Sequence, residues 1–306
     1  EYRQGSYSEL RYLNDKLIQN TYDPNTNKSR SLFTGALRWL AHAYTPRIDR
    51  ALCIGMGAGI VPMQFAADGI ETDVVEINGA VVPMAEQFFD FNSSQVNLTI
   101  GDGRQFLNRT DRKYDAIILD AFLGDSSPSH LMTQESFKEI RQHLTDDGVL
   151  VINSFGESSE ERQFFSRSLD KTLRSVFVGT KRVKVHASGQ GNVFFVATRA
   201  KKLMPHRPPK MPDQNATRRL EAADSDDKVR EEWDIWRDAA GNVGPFFSEH
   251  PVVQGQMGLM WKKEREFDPK QGRILRDDFN PVEFYDARNR EENRRHLIQM
   301  LSNNDG

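Results

Sequence analysis

Between residues 50 and 198 the chain alternates short, largely apolar runs with longer stretches whose apolar residues recur at helical spacing. The runs predict strands near 50–54, 72–76, 96–100, 114–119, 148–154, 177–186 and 192–198. The helix-spaced stretches predict helices near 59–68, 79–89, 134–144 and 158–174. A strand with no polar face is one covered on both sides, so the pattern predicts a mostly parallel seven-stranded sheet between helical layers. The last two runs face each other across Ser188-Gly189-Gln190-Gly191-Asn192, a hairpin signal that turns the end of the sheet antiparallel.

Upstream, residues 6–22 alternate in short β-like stretches, and Asn14-Asp15 marks a tight turn, which predicts an N-terminal β-hairpin region over 1–27. Residues 28–44 place Leu32, Phe33, Ala36, Leu37, Leu40 and Ala41 on one helical face. A Rossmann-like catalytic domain is therefore expected over 28–200. Proline and basic residues crowd 201–212 and predict a linker. Beyond it, 201–306 reads as a mostly helical C-terminal extension packed on the main domain. In it, Trp233 and Trp236 serve packing, and Arg288, Arg290, Arg294 and Arg295 interleave with Glu291 and Glu292 on a solvated face.

Composition narrows the class without naming it. The 306 residues are 38% hydrophobic and 28% charged with a net charge of −3, a globular balance that favours neither nucleic acid nor an anionic membrane as partner. No apolar run approaches the ~20 residues of a membrane span. The single cysteine, Cys53, sits in an apolar strand as core filler. The seven histidines show no zinc-ligand spacing, so no metal is expected.

The chemistry is carried by the ends of the predicted strands. The first runs into Gly55-Met56-Gly57-Ala58-Gly59, and Glu76 closes the second, 21 positions after Gly55. Glycines let a strand turn sharply and let backbone approach a ligand, while an acidic residue at the next strand end takes ribose hydroxyls. Asp102, in Gly101-Asp102-Gly103, follows the third strand, and Asp120 ends the fourth. In an open α/β sheet this edge is where ligands bind. Each acid alone reads equally well as a helix cap. All three in order after a glycine loop favour a nucleoside site, with Asp102 toward the adenine amino group and Asp120 beside the reacting centre. His130 reads as a loop histidine tied to backbone, with acid/base chemistry the other reading.

Four segments together resemble the spermidine synthase (polyamine aminopropyltransferase) family over roughly residues 5–200. They are the run Leu13-Asn14-Asp15-Lys16-Leu17-Ile18-Gln19, the segment Gly101-Asp102-Gly103-Arg104-Gln105-Phe106-Leu107, and the stretches 114–120 and 136–153. The resemblance is strongest to bacterial spermidine-synthase-like domains of longer, often membrane-fused proteins. It implies a class I S-adenosylmethionine methyltransferase-like fold and a cytoplasmic location. It also implies a possible homodimer, with no membrane insertion by this segment. Its implied co-substrate is decarboxylated S-adenosylmethionine, or S-adenosylmethionine itself. Gln19, Gly55, Gly57, Gly59, Glu76, Ile77, Asp102 and Gly103 would hold it. Asp120 would bind a putrescine-like amine and act as general base.

Departures from the family pattern keep other readings open. The carboxylate that the family carries within the glycine loop is replaced by Ala58, and Leu123 stands where a second aspartate would follow Asp120. Asp125, His130, Asp277 and Asp278 are candidates to rebuild an acceptor pocket. A methyltransferase on the same fold is the first alternative, and a non-catalytic nucleoside-binding regulatory domain the second.

Overall fold

The computed structural model describes residues 2–4, 7–14, 17–122, 128–157, 164–184, 190–201, 203 and 271–281. Asp125, the two tryptophans and the arginine-rich last segment lie outside these residues.

The chain opens with an antiparallel sheet, ordered β1 (Tyr2–Gln4), β2 (Tyr7–Asn14), β3 (Leu17–Asp23) and β4 (Lys28–Ser29). The expected hairpin is its centre: β2 and β3 pair antiparallel from Leu10 and Tyr22 to Asn14 and Leu17. The helix expected from residue 28 begins later, as α1 (Leu32–Tyr44). Residues 28–31 are bound to β3 instead: the Arg30 N–H donates to the Thr21 carbonyl (2.9 Å), and the Thr21 N–H donates to Ser31 Oγ (2.8 Å). Helical periodicity starts only at Leu32, where those tethers end.

The main domain then runs β5 (Arg50–Ile54), α2 (Ile60–Ala67), β6 (Glu71–Glu76), α3 (Val81–Phe88), β7 (Asn97–Ile100), α4 (Gly103–Leu107) and β8 (Tyr114–Leu119). It continues with α5 (Gln134–His143), β9 (Leu144–Glu157), α6 (Phe164–Arg174), β10 (Gly179–Lys184) and β11 (Gln190–Thr198). The sheet order is β10-β11-β9-β8-β5-β6-β7, with only the β11 pairings antiparallel. The expected seven-stranded sheet ending in an antiparallel hairpin is therefore borne out. The five-residue α4 is too short to declare itself by periodicity.

Side chains leave each central strand alternately toward two cores. Ala51, Cys53, Ala116, Ile118, Val149 and Val151 face one layer, where Leu37, Leu40 and Ala41 of α1 cover them. Leu52, Ile54, Ile117, Leu119, Leu150 and Ile152 face the other, against Phe137 and Ile140 of α5 and Leu169 and Leu173 of α6. Each of these twelve strand residues is at most 2% exposed, which explains why the strands read as unbroken apolar runs. At ~25 cal/mol per Å² this doubly covered sheet is the chief source of stability. It holds the strand ends rigidly at the site.

Candidate active site

Strand order reverses between β5 and β8, which leave in opposite directions across the sheet, and ligands bind at such a switch point. Here the Gly55 N–H donates to the Val75 carbonyl (2.8 Å) and the Asp120 N–H to the Ile54 carbonyl (2.9 Å). These bonds stitch three strand ends together. Gly55 has φ +90°, and a Cβ there would lie 2.3 Å from the Asp120 carbonyl oxygen, so only glycine lets β5 turn against β8. Gly59, φ +78°, starts α2 under the Phe91 ring, 2.4 Å from where its Cβ would stand. The glycine loop is thus required by backbone geometry before any ligand is considered.

Above this edge lies a pocket of about 550 Å³. Its wall includes Gln19 from the N-terminal sheet, Gly55 and Gly57 from the loop, Glu76 and Ile77 from the end of β6, Asp102 and Gly103 at α4, Asp120, and His130. Residues scattered from position 19 to position 130 therefore share one cavity. Gly59 shapes the loop from behind, and Asp277 and Asp278 stand outside the wall. Ala58 is fully buried in a small cluster with Tyr22, Ile60 and Phe89, so this loop position offers the pocket no polar group.

The three strand-end acids have distinct environments. Glu76 is 8% exposed, and its two oxygens accept the N–H groups of Met56 (2.9 Å) and Asn78 (2.8 Å). Among the described residues these backbone groups fix the carboxylate, and each oxygen keeps a further lone pair. Ile77 beside it is 58% exposed, an apolar side chain presented at the pocket rim.

Asp102 is both cap and wall. Its Oδ1 accepts the Gln105 N–H (2.9 Å) and caps α4, while Oδ2 meets His130 Nε2 at 2.7 Å. Burial works to raise its carboxyl pKa, but the Gln105 N–H and the His130 ring outweigh it and hold the group below the usual carboxylate range. The His130 ring thus meets a carboxylate, where a tie to backbone was expected.

Asp120 differs. Burial pushes its carboxyl up to about 7, opposed only by one hydrogen bond from Asn153 Nδ2 to Oδ1 (2.8 Å). Asn153 Oδ1 in turn accepts from Asn192 Nδ2 (2.9 Å). When ionised the carboxylate only accepts, and Asn153 then presents its NH2 to Asp120 and its carbonyl to Asn192. All three line the pocket. Sequence reasoning missed both asparagines. Asn153 directly follows the apolar run 149–152, a polar residue at a buried strand end, which was the available signal; Asn192 was read only as part of a turn.

The switch-point pocket and sheet order define a class I methyltransferase-like Rossmann fold. The fold is similar to that of a probable spermidine synthase from Corynebacterium glutamicum (TM-score 0.50, 16% identity, covering 87% of this chain and 96% of that one). The spermine/spermidine synthase domain model matches residues 43–202. A polyamine aminopropyltransferase from Vibrio vulnificus is 41% identical over 246 residues, covering 78% of this chain and 70% of that protein. An N-terminal histidine N-methyltransferase from Emericella nidulans is 36% identical over 141 residues, 43% of this chain but only 24% of its own length. The chain belongs to the spermine/spermidine synthase family and is a transferase.

Proposed function

We propose that the protein transfers an aminopropyl group from decarboxylated S-adenosylmethionine to a primary amine. The polyamine aminopropyltransferase relative supports the reaction type. In this reading Gln19, Glu76, Ile77, Asp102 and Gly103 hold the nucleoside against the backbone of Gly55 and Gly57. The amine nitrogen attacks the aminopropyl carbon bound to the sulfonium. As the C–N bond forms, the C–S bond breaks and its electron pair stays on sulfur, leaving neutral 5′-methylthioadenosine. The leaving group needs no protonation, so alignment supplies most of the acceleration.

The observation that carries the proposal is Asp120, a pocket carboxyl raised to about 7 and aimed by an asparagine. A base poised near neutral pH takes the proton the new ammonium must lose, and its charge offsets the positive charge developing on nitrogen. The test is release of 5′-methylthioadenosine from decarboxylated S-adenosylmethionine with putrescine as acceptor. Turnover lost in Asp120→Asn supports the reading; turnover with S-adenosylmethionine alone would overturn it.

One observation favours a second reading. Ala58, buried and apolar, leaves the glycine loop without a carboxylate for the aminopropyl ammonium, and methyl transfer needs none. Identifying the nucleoside product with each donor separates the two: 5′-methylthioadenosine from decarboxylated S-adenosylmethionine marks aminopropyl transfer, and S-adenosylhomocysteine from S-adenosylmethionine marks methyl transfer.

A further inference from the structure

The described C-terminal segment, 271–281, follows every pocket-lining residue in sequence and packs against the elements that hold the pocket. The Gln134 N–H donates to the Leu275 carbonyl (2.8 Å), and the Leu275 N–H donates to Thr172 Oγ1 (2.9 Å). The Leu275 side chain is 1% exposed in the core shared with α5 and α6. Lys171 Nζ reaches the Gly272 carbonyl (2.8 Å) from α6. One end of the segment is thereby fixed to two helices.

Its other end grips the nucleoside side of the pocket. Asp277 clasps Arg104 through both oxygens (2.8 and 2.7 Å), and that guanidinium holds its own carboxyl below the usual range. Arg104 stands on α4, the helix Asp102 caps, and also donates to the His130 carbonyl (3.4 Å). Asn280 Nδ2 donates to the neighbouring Ser129 carbonyl (2.6 Å). The His130 side chain is 44% exposed, so packing alone does not fix it, yet it supplies the partner of Asp102 Oδ2. The turn at 129–131 is therefore held from its backbone by this segment, directly through Asn280 and indirectly through Asp277 and Arg104.

We infer that residues 271–281 form a strap whose Asp277 and Asn280 are positioning residues for the nucleoside site, setting Asp102 through the 129–131 turn and α4. The inference rests on the reading that Asp102 contacts the nucleoside. It gives the C-terminal extension a part in ligand affinity and gives Asp277 a role other than acceptor binding. No residue of the strap lines the pocket, so its effect falls on binding and spares the chemical step.

The test is calorimetric titration of 5′-methylthioadenosine into the full chain and its Asn280→Ala, Asp277→Asn, Asp277→Glu and Asp102→Asn variants, with steady-state kinetics alongside. Loss of one such hydrogen bond is expected to weaken binding about tenfold in Asn280→Ala and Asp277→Asn. The KM for the nucleoside donor rises with it, kcat stays within about twofold, and Asp277→Glu restores much of the affinity by reaching Arg104 again. A general loss of folding would lower kcat and melting temperature together, which the split between KM and kcat excludes. Binding by Asn280→Ala and Asp277→Asn equal to wild type, while Asp102→Asn is weakened, overturns the strap alone. No binding by the wild-type chain overturns the nucleoside reading, and the strap with it.

Discussion

Replacing Asp120 by asparagine should make the protein more stable and less active, and the two effects should carry different pH signatures. The carboxyl ionises near 3.8 when unfolded and near 7 when folded, because burial disfavours its charge. Below 3.8 both states are protonated and the group is neutral toward stability. Between the two values the unfolded chain gives up its proton first, so the carboxyl destabilises the fold increasingly as pH rises, and the penalty is complete above about 7. Roughly three pKa units correspond to about 4 kcal/mol as an upper bound. Asp120 opens partly to pocket water, so about 2 kcal/mol is the better expectation.

Asparagine keeps the shape and cannot ionise. The variant should therefore melt roughly 5 °C higher at pH 8, with a smaller gain at pH 5, by scanning calorimetry. Release of 5′-methylthioadenosine should fall by about 10²- to 10⁴-fold across the pH range. A thermal gain of equal size at both pH values refutes the ionisation argument. A retained rate with its acid limb near pH 7 refutes the assignment of Asp120 as base.

Glu76→Gln sets an NH2 group against one of two backbone donors, so it should cost about 1–3 kcal/mol in denaturant melts and raise the KM for the nucleoside donor at least tenfold with little change in kcat. Gly55→Ala, with its Cβ driven against the Asp120 carbonyl, should give insoluble or grossly destabilised protein. Gly57→Ala meets nothing within 4 Å and should fold at a cost of about 1 kcal/mol for its φ of +53°, but bind nucleoside more weakly because residue 57 lines the pocket. Tyr114→Phe removes a buried 2.6 Å bond to Asp73, which Arg112 also holds. It should cost about 1–2 kcal/mol by melting and leave kcat/KM at the wild-type value, since neither residue borders the site.

Legible in the residue pattern were the seven strands from β5 to β11 and the longer helices between them, the glycine loop after the first strand, and the position of Glu76, Asp102 and Asp120 at strand ends. These were legible because doubly covered strands must be apolar throughout, and because such a sheet confines its ligand groups to the segments that follow strands. Tertiary structure decided what each group is able to do. Glu76 and Asp102 look alike in sequence, but one is held by backbone N–H groups and the other by a histidine 28 positions away. Asp120 acquires its raised pKa from burial at the β5–β8 edge, and its orientation from two asparagines that only the β9–β11 pairing brings together. Ala58 faces an apolar cluster because of how the N-terminal sheet packs on α2 and α3, and the strap reaches Arg104 across 173 positions. Local pattern encodes periodicity, whereas protonation state and reach depend on which distant segments meet. No reading of one segment at a time contains that information.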